Sequence, residues 1–91
     1  MYVVVCYDVV KNRIRARLIK ALRGFLTHVQ KSVFEGELAD GRYHEMLERI
    51  RKEIDLEADT VRVYHLCARC RPATEIIGTG SHVEEERDEV L

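Results

Sequence analysis

The chain has 91 residues, 46% of them apolar and 34% charged. That is enough for one domain, excludes a second independent core, and is unlike the composition of a disordered chain. The formal net charge of −1 hides an asymmetry: six basic and no acidic residues from Lys11 to Arg23, against five acidic residues and one arginine from Glu84 to Glu89. The split implies a polyanion-binding surface and a separate docking or solubilising tail.

In chain order, Tyr2 to Tyr7 is a continuous apolar, β-branched run, the pattern of a strand covered on both faces, and it should end near Asp8. From Arg13 to Phe25, Ile14, Leu18, Ala21, Leu22 and Phe25 recur at helical spacing, which predicts an amphipathic helix with a basic outer face. His28 to Glu35 alternates imperfectly and reads as strand, either one or two joined by a kink near Lys31. Asp40-Gly41 is a turn signal, after which Tyr43, Met46, Leu47, Ile50 and Ile54 mark a second amphipathic helix. Thr60 to Cys67 is a strand and Thr74 to Ile77 a shorter one, with Pro72, Gly78 and Gly80 punctuating its ends. The order predicts a two-layer α+β domain with both helices on one face of a sheet. With two strands in the middle segment it is a split βαβ, ferredoxin-like arrangement, βαββαβ, over residues 1–80, followed by an acidic tail at 81–91. The extra strand at 74–77 has no place in that core and is free to extend a sheet edge, its own or a partner's.

No stretch approaches the roughly 20 apolar residues that span a bilayer. The apolar run at the start is short, with no basic segment before it and no small-residue cleavage site after it. The expectation is a cytoplasmic protein without a membrane partner. Three cysteines, Cys6, Cys67 and Cys70, are an odd number and do not make a secreted disulfide framework.

Three features carry chemistry. Asp8 stands where the first strand emerges; a carboxylate there either caps the following turn or offers oxygen to a hard cation such as Mg²⁺. One Asp per chain makes a poor site, and a two-fold axis nearby would pair it with its copy. Arg13, Arg17 and Lys20, with Arg15 and Arg23 on neighbouring arcs, either neutralise phosphates or form a solvated face, although such faces usually interleave acids and this one has none. Cys67-x-x-Cys70 lacks the four ligands of a structural zinc site and reads as a packed or strand-edge thiol pair that forms at most an occasional disulfide. The four histidines are scattered, and none is assigned a catalytic role.

Tyr7-Asp8-Val9 closing the first strand, Arg15-x-Arg17 in the first helix, Val29-Gln30-x-Ser32-Val33-Phe34-Glu35, and the strand Val61 to Leu66 occur in an order and spacing that resemble the CRISPR-associated endoribonuclease family. These are the small partners of the CRISPR adaptation integrase, and the resemblance covers roughly residues 1–78. It implies a homodimer in which the C-terminal strand reaches onto the other subunit's sheet. It also implies a divalent cation, Mg²⁺ or similar, shared by the two Asp8 residues as the metal and catalytic site. Lys31, Ser32 and Phe34 fall in the loop-strand motif near that site and join Arg13, Arg15, Arg17 and Lys20 as expected nucleic-acid contacts. Two departures are visible. The small residue expected before the second strand is Leu26, and the acidic residue expected after Tyr-Asp is replaced by Val10-Lys11-Asn12.

The resemblance leaves two roles. One is a metal-dependent phosphodiesterase on RNA or double-stranded DNA; the other is an adaptor that carries duplex DNA and bridges the integrase. A single carboxylate and no assignable general base make a thin catalytic set, so the adaptor ranks first. A non-catalytic ferredoxin-like nucleic-acid-binding module is the alternative, although RNA-binding versions usually display aromatic pairs on the sheet.

Overall fold

The computed structural model describes residues 1–83. The elements follow the order β1 (Tyr2–Asp8), α1 (Asn12–Arg23), β2 (Thr27–Gln30), β3 (Val33–Glu37), α2 (Asp40–Glu53) and β4 (Thr60–Leu66). The four strands form one sheet in the order β2-β3-β1-β4, with every neighbouring pair antiparallel. This is the expected βαββαβ, ferredoxin-like topology. The middle segment is two strands, joined at Lys31-Ser32 and irregular between His28 and Gln30.

The pleat sorts side chains by alternation. Val3, Val5 and Tyr7 of β1 and Phe34 of β3 are buried in one cluster with Leu18 and Leu22 of α1 and Met46 and Ile50 of α2. Val61 and Val63 of β4, in register with Tyr7 and Val5, pack on the same side. That face is the core. Gly36, on the same face of β3, is what admits Leu26: a Cβ at Gly36 would come within 3.2 Å of the Leu26 Cδ2. The small residue missing before β2 is supplied by the facing strand.

Three expectations need correction. Asp40-Gly41 is no separate turn but the opening of α2, with Ala39 at its N-cap in extended conformation. In a first turn the backbone N–H groups have no helical partner, so glycine costs little there, and the Asp40 carboxylate suits the positive helix end. Residues 74–77 form no strand in the single chain; turns run to Ala73, and Ile76 and Ile77 are 41% and 93% exposed. Nor is β1 covered on both faces. Away from the helices, Val4 and Cys6 are only half-buried, and Tyr64 of β4, paired with Val4, is exposed. Among the described residues only Tyr2 is buried on that open face, where the Arg71 guanidinium lies 4.1 Å from its ring centre.

Candidate metal and nucleic-acid site

β1 delivers Asp8 to the lip of the sheet, on the open face with Cys6 and opposite Thr60 of β4. Its side chain is exposed and has no hydrogen-bond or ion-pair partner among the described residues. The turn-cap reading therefore does not hold for Asp8. That work falls to Asp59, whose Oδ1 accepts the Val10 N–H at 2.9 Å and whose Oδ2 accepts the Asp55 N–H at 2.9 Å. These two bonds, with help from the Lys11 and Arg15 charges, hold the Asp59 carboxyl below its ordinary pKa. The sequence reading missed Asp59. Its only sequence signal is an acid immediately before a strand that must end beside β1.

Arg15 is the second missed positioning group. It was expected on phosphate, but its Nη2 donates to the carbonyls of Val9 at 2.6 Å and Val10 at 3.4 Å, and its Nη1 donates to Asn12 Oδ1. The guanidinium thus ties the start of α1 to the end of β1. The loop after Asp8 is held from two sides, by Asp59 through an N–H and by Arg15 through carbonyls, which leaves the Asp8 carboxylate free at a fixed place.

The Lys31-Ser32 turn is fastened to the same strand. The Tyr7 N–H donates to the Ser32 carbonyl at 3.1 Å and the Tyr7 hydroxyl to the Lys31 carbonyl at 3.0 Å. Burial raises the Tyr7 pKa, against the opposing pull of Arg15 and Arg23. His28 Nε2 lies 3.1 Å from that same Lys31 carbonyl, and its ring stacks on Phe34 at 4.2 Å between centres. Phe34 itself is fully buried. Its expected contact with nucleic acid is corrected accordingly: the ring is a core group that supports the turn beneath Lys31 and Ser32. Lys31 is exposed and Ser32 half-buried, one residue from Asp8 across the β1–β3 pairing.

Arg13, Arg17 and Lys20 are exposed in the helical layer, on the other side of the sheet from the open face. Arg13 lies at the Asp8 end of the molecule, Arg17 and Lys20 one and two turns further along. Arg17 Nε is 3.4 Å from Glu53 of α2, while Arg13 and Lys20 have no ion-pair partner among the described residues. The structure thus brings Asp8, Lys31, Ser32 and Arg13 to one end and carries Arg17 and Lys20 away from it.

For a metal, the donor set of one chain is small. No group of three histidine, cysteine or acidic side chains converges anywhere among the described residues. A single exposed, unpartnered carboxylate suits Mg²⁺, which binds through one or two carboxylates and keeps several waters. It does not suit zinc or calcium, which need fuller protein coordination.

Comparison with known proteins agrees with this fold. The family model described as CRISPR associated protein Cas2 matches residues 1–73. A CRISPR-associated endoribonuclease Cas2 of Chloroflexus aurantiacus is 36% identical over 97% of this chain and 96% of its own length. One from Pyrococcus furiosus is 40% identical over 94% of this chain and 98% of its own. Among solved structures, Streptococcus pyogenes Cas2 superposes with a TM-score of 0.73 at 29% identity, covering 86% of this chain and all of that one. A hypothetical protein of Thermus thermophilus gives 0.78 at 29% identity, over 88% and 93%. The chain belongs to the CRISPR-associated Cas2 family.

Proposed function

We propose that this protein works in CRISPR spacer acquisition as a homodimeric, cytoplasmic adaptor that binds duplex DNA and bridges the integrase, with metal-dependent phosphodiester hydrolysis as a second capacity of the same dimer. The observation that carries the reading is Asp8: exposed and, among the described residues, without a partner and on a sheet face with no helix over it. In a two-fold dimer joined through that face, a residue near the axis meets its own copy. Two Asp8 carboxylates then provide what one chain lacks. DNA contacts come from Arg13, Arg17 and Lys20 on α1 and from Lys31 and Ser32 at the turn, through charge and hydrogen bonds to phosphate without base reading. The acidic segment from Glu84, the proposed docking element for the integrase, lies outside the described residues.

The two Asp8 residues would hold Mg²⁺, which when bound supplies an activated water and neutralises charge on the phosphate. This chain's contribution is positional. Asp59 and Arg15 fix the loop that follows Asp8, and Tyr7 fixes the turn beside it. No described side chain near Asp8 is placed as a general base, which keeps hydrolysis second to the adaptor role.

The exchange Asp8→Asn separates the two. It is nearly isosteric and removes the charge a hard cation needs. The expected result is an unchanged fold and dimer, no cleavage of RNA or duplex DNA in Mg²⁺, and intact DNA binding, integrase assembly and spacer integration. Cleavage that persists in the variant and is still blocked by chelator would remove Asp8 from the metal site. Loss of integration with assembly intact would make the carboxylate pair essential to acquisition and reverse the ranking.

A further inference from the structure

The proposed function leaves Cys67-Ala68-Arg69-Cys70 unused. The chain leaves β4 here and turns back toward the open face. The turn closes through the Cys70 and Arg71 N–H groups, both donating to the Cys67 carbonyl at 3.1 Å. It brings the two sulfurs to 3.4 Å, with both side chains exposed.

We propose that Cys67 and Cys70 are a reversible dithiol–disulfide pair that sets the rigidity of the turn between β4 and the C-terminal segment. Sulfurs this close, on the first and fourth residues of one turn, are placed to bond to each other. Exposure admits a reagent, and the pair is chemically unequal. The Cys70 backbone N–H, then the Cys70 thiol and the Arg69 N–H, lower the Cys67 pKa, while the hydrogen bond to Cys67 and its charge raise that of Cys70. Cys67 is thus the attacking thiolate and Cys70 the resolving thiol.

The oxidant is a low-molecular-weight disulfide. The Cys67 thiolate attacks one of its sulfurs, forming a mixed disulfide and expelling one thiolate. Cys70 gives its proton to solvent and attacks the Cys67 sulfur, expelling the second. Two protein thiols are oxidised to one disulfide, and the reagent is reduced to two thiols.

The consequence follows from what the turn holds. The Cys70 carbonyl accepts from the Thr74 hydroxyl at 3.1 Å. Arg71, the next residue, lies over Tyr2, 3.6 Å from Glu37, and donates to the Val83 carbonyl at 3.2 Å. A cross-link between 67 and 70 restrains the anchor of everything that follows.

The test uses the full chain, reduced and freed of reductant, with and without prior chelation, then equilibrated with glutathione disulfide. Mass mapping after alkylation should find the peptide holding Cys67 and Cys70 lighter by two hydrogens, Cys6 alkylated, and full reversal by dithiothreitol. The Cys70→Ser variant should stop at a glutathione adduct on Cys67. Hydrogen exchange at the Cys70 and Arg71 amides should slow several-fold in the oxidised protein. An interchain cross-link, stable glutathione adducts on the wild type, or thiols that react only after a chelator removes zinc would each overturn the pair. A disulfide that forms without slowing those amides would overturn its control of the turn.

Discussion

Asp8 closes β1 and Asp59 immediately precedes β4, and the two lie at one end of the sheet, since Asp8 pairs with Thr60. Their difference lies in who reaches them. Asp59 is occupied by two backbone N–H groups, and Asp8 by nothing described. Phe34 makes the same point in the core. The motif that contains it points to nucleic acid, but a ring with no exposed surface, stacked on His28, acts through packing. Phe34→Ala should therefore destabilise the fold by about 3–5 kcal/mol, the usual cost of emptying an aromatic site. Thermal or urea unfolding measures this, and DNA affinity of the fraction that remains folded should be unchanged. Lost affinity at full stability would mean that the ring does reach nucleic acid.

At the scale of the element, α1 divides its cations between structure and surface. Arg15 turns inward onto the β1–α1 loop, so Arg15→Ala acts on the loop. Arg17 pairs with Glu53, but both groups keep solvent contact, and an exposed pair contributes only about 0–1 kcal/mol, so phosphate can displace it. Arg13 and Lys20 are already open. Reversing these two to Glu should weaken duplex binding across all sequences and flatten the log–log salt dependence by about 0.9 per lost contact. Equal binding by wild type and variant at every salt concentration would make α1 a solvated face. The period of α1 is plain in Ile14, Leu18 and Leu22, because burial on one face imposes 3.6-residue spacing. The fate of Arg15 is not, because its acceptors are carbonyls, which every residue carries. The opening of α2 was hidden by Asp40-Gly41, whose residue types serve a turn and a helix start equally well. Asp8 was legible from its place at the end of β1, whereas its support by Asp59 depends on β1 and β4 lying side by side, which brings Asp59 to Val10, 49 residues away in sequence.

For the whole molecule, the open face of the sheet is the main unresolved energetic feature. β1 is central in the sheet and apolar along its length, yet among the described residues no helix covers Val4 and Cys6, and Tyr64 is 47% exposed. Beside them Val29 stands at the β2 edge, and the segment after β4 carries Ile77 almost wholly in solvent. Between that segment and the β2–β3 side of the sheet lies a cleft of about 1010 Å³. A domain this small gains little from its own core, so leaving such a surface in water is costly. A second copy meeting the first face to face would cover β1, and an exchanged 74–77 segment would add a strand to an edge that is otherwise unpaired. Sedimentation should accordingly give about twice the 10.6 kDa chain mass. Truncation after Arg71 removes the exchanged segment but keeps β1 to β4, so the shortened chain should stay folded and dissociate at a higher concentration. Its circular dichroism should remain that of a mixed α/β domain while its mass falls toward one chain on dilution. A full-length protein that sediments as a monomer at micromolar concentration would show that the open face is stable in water, and would leave Asp8 without its copy.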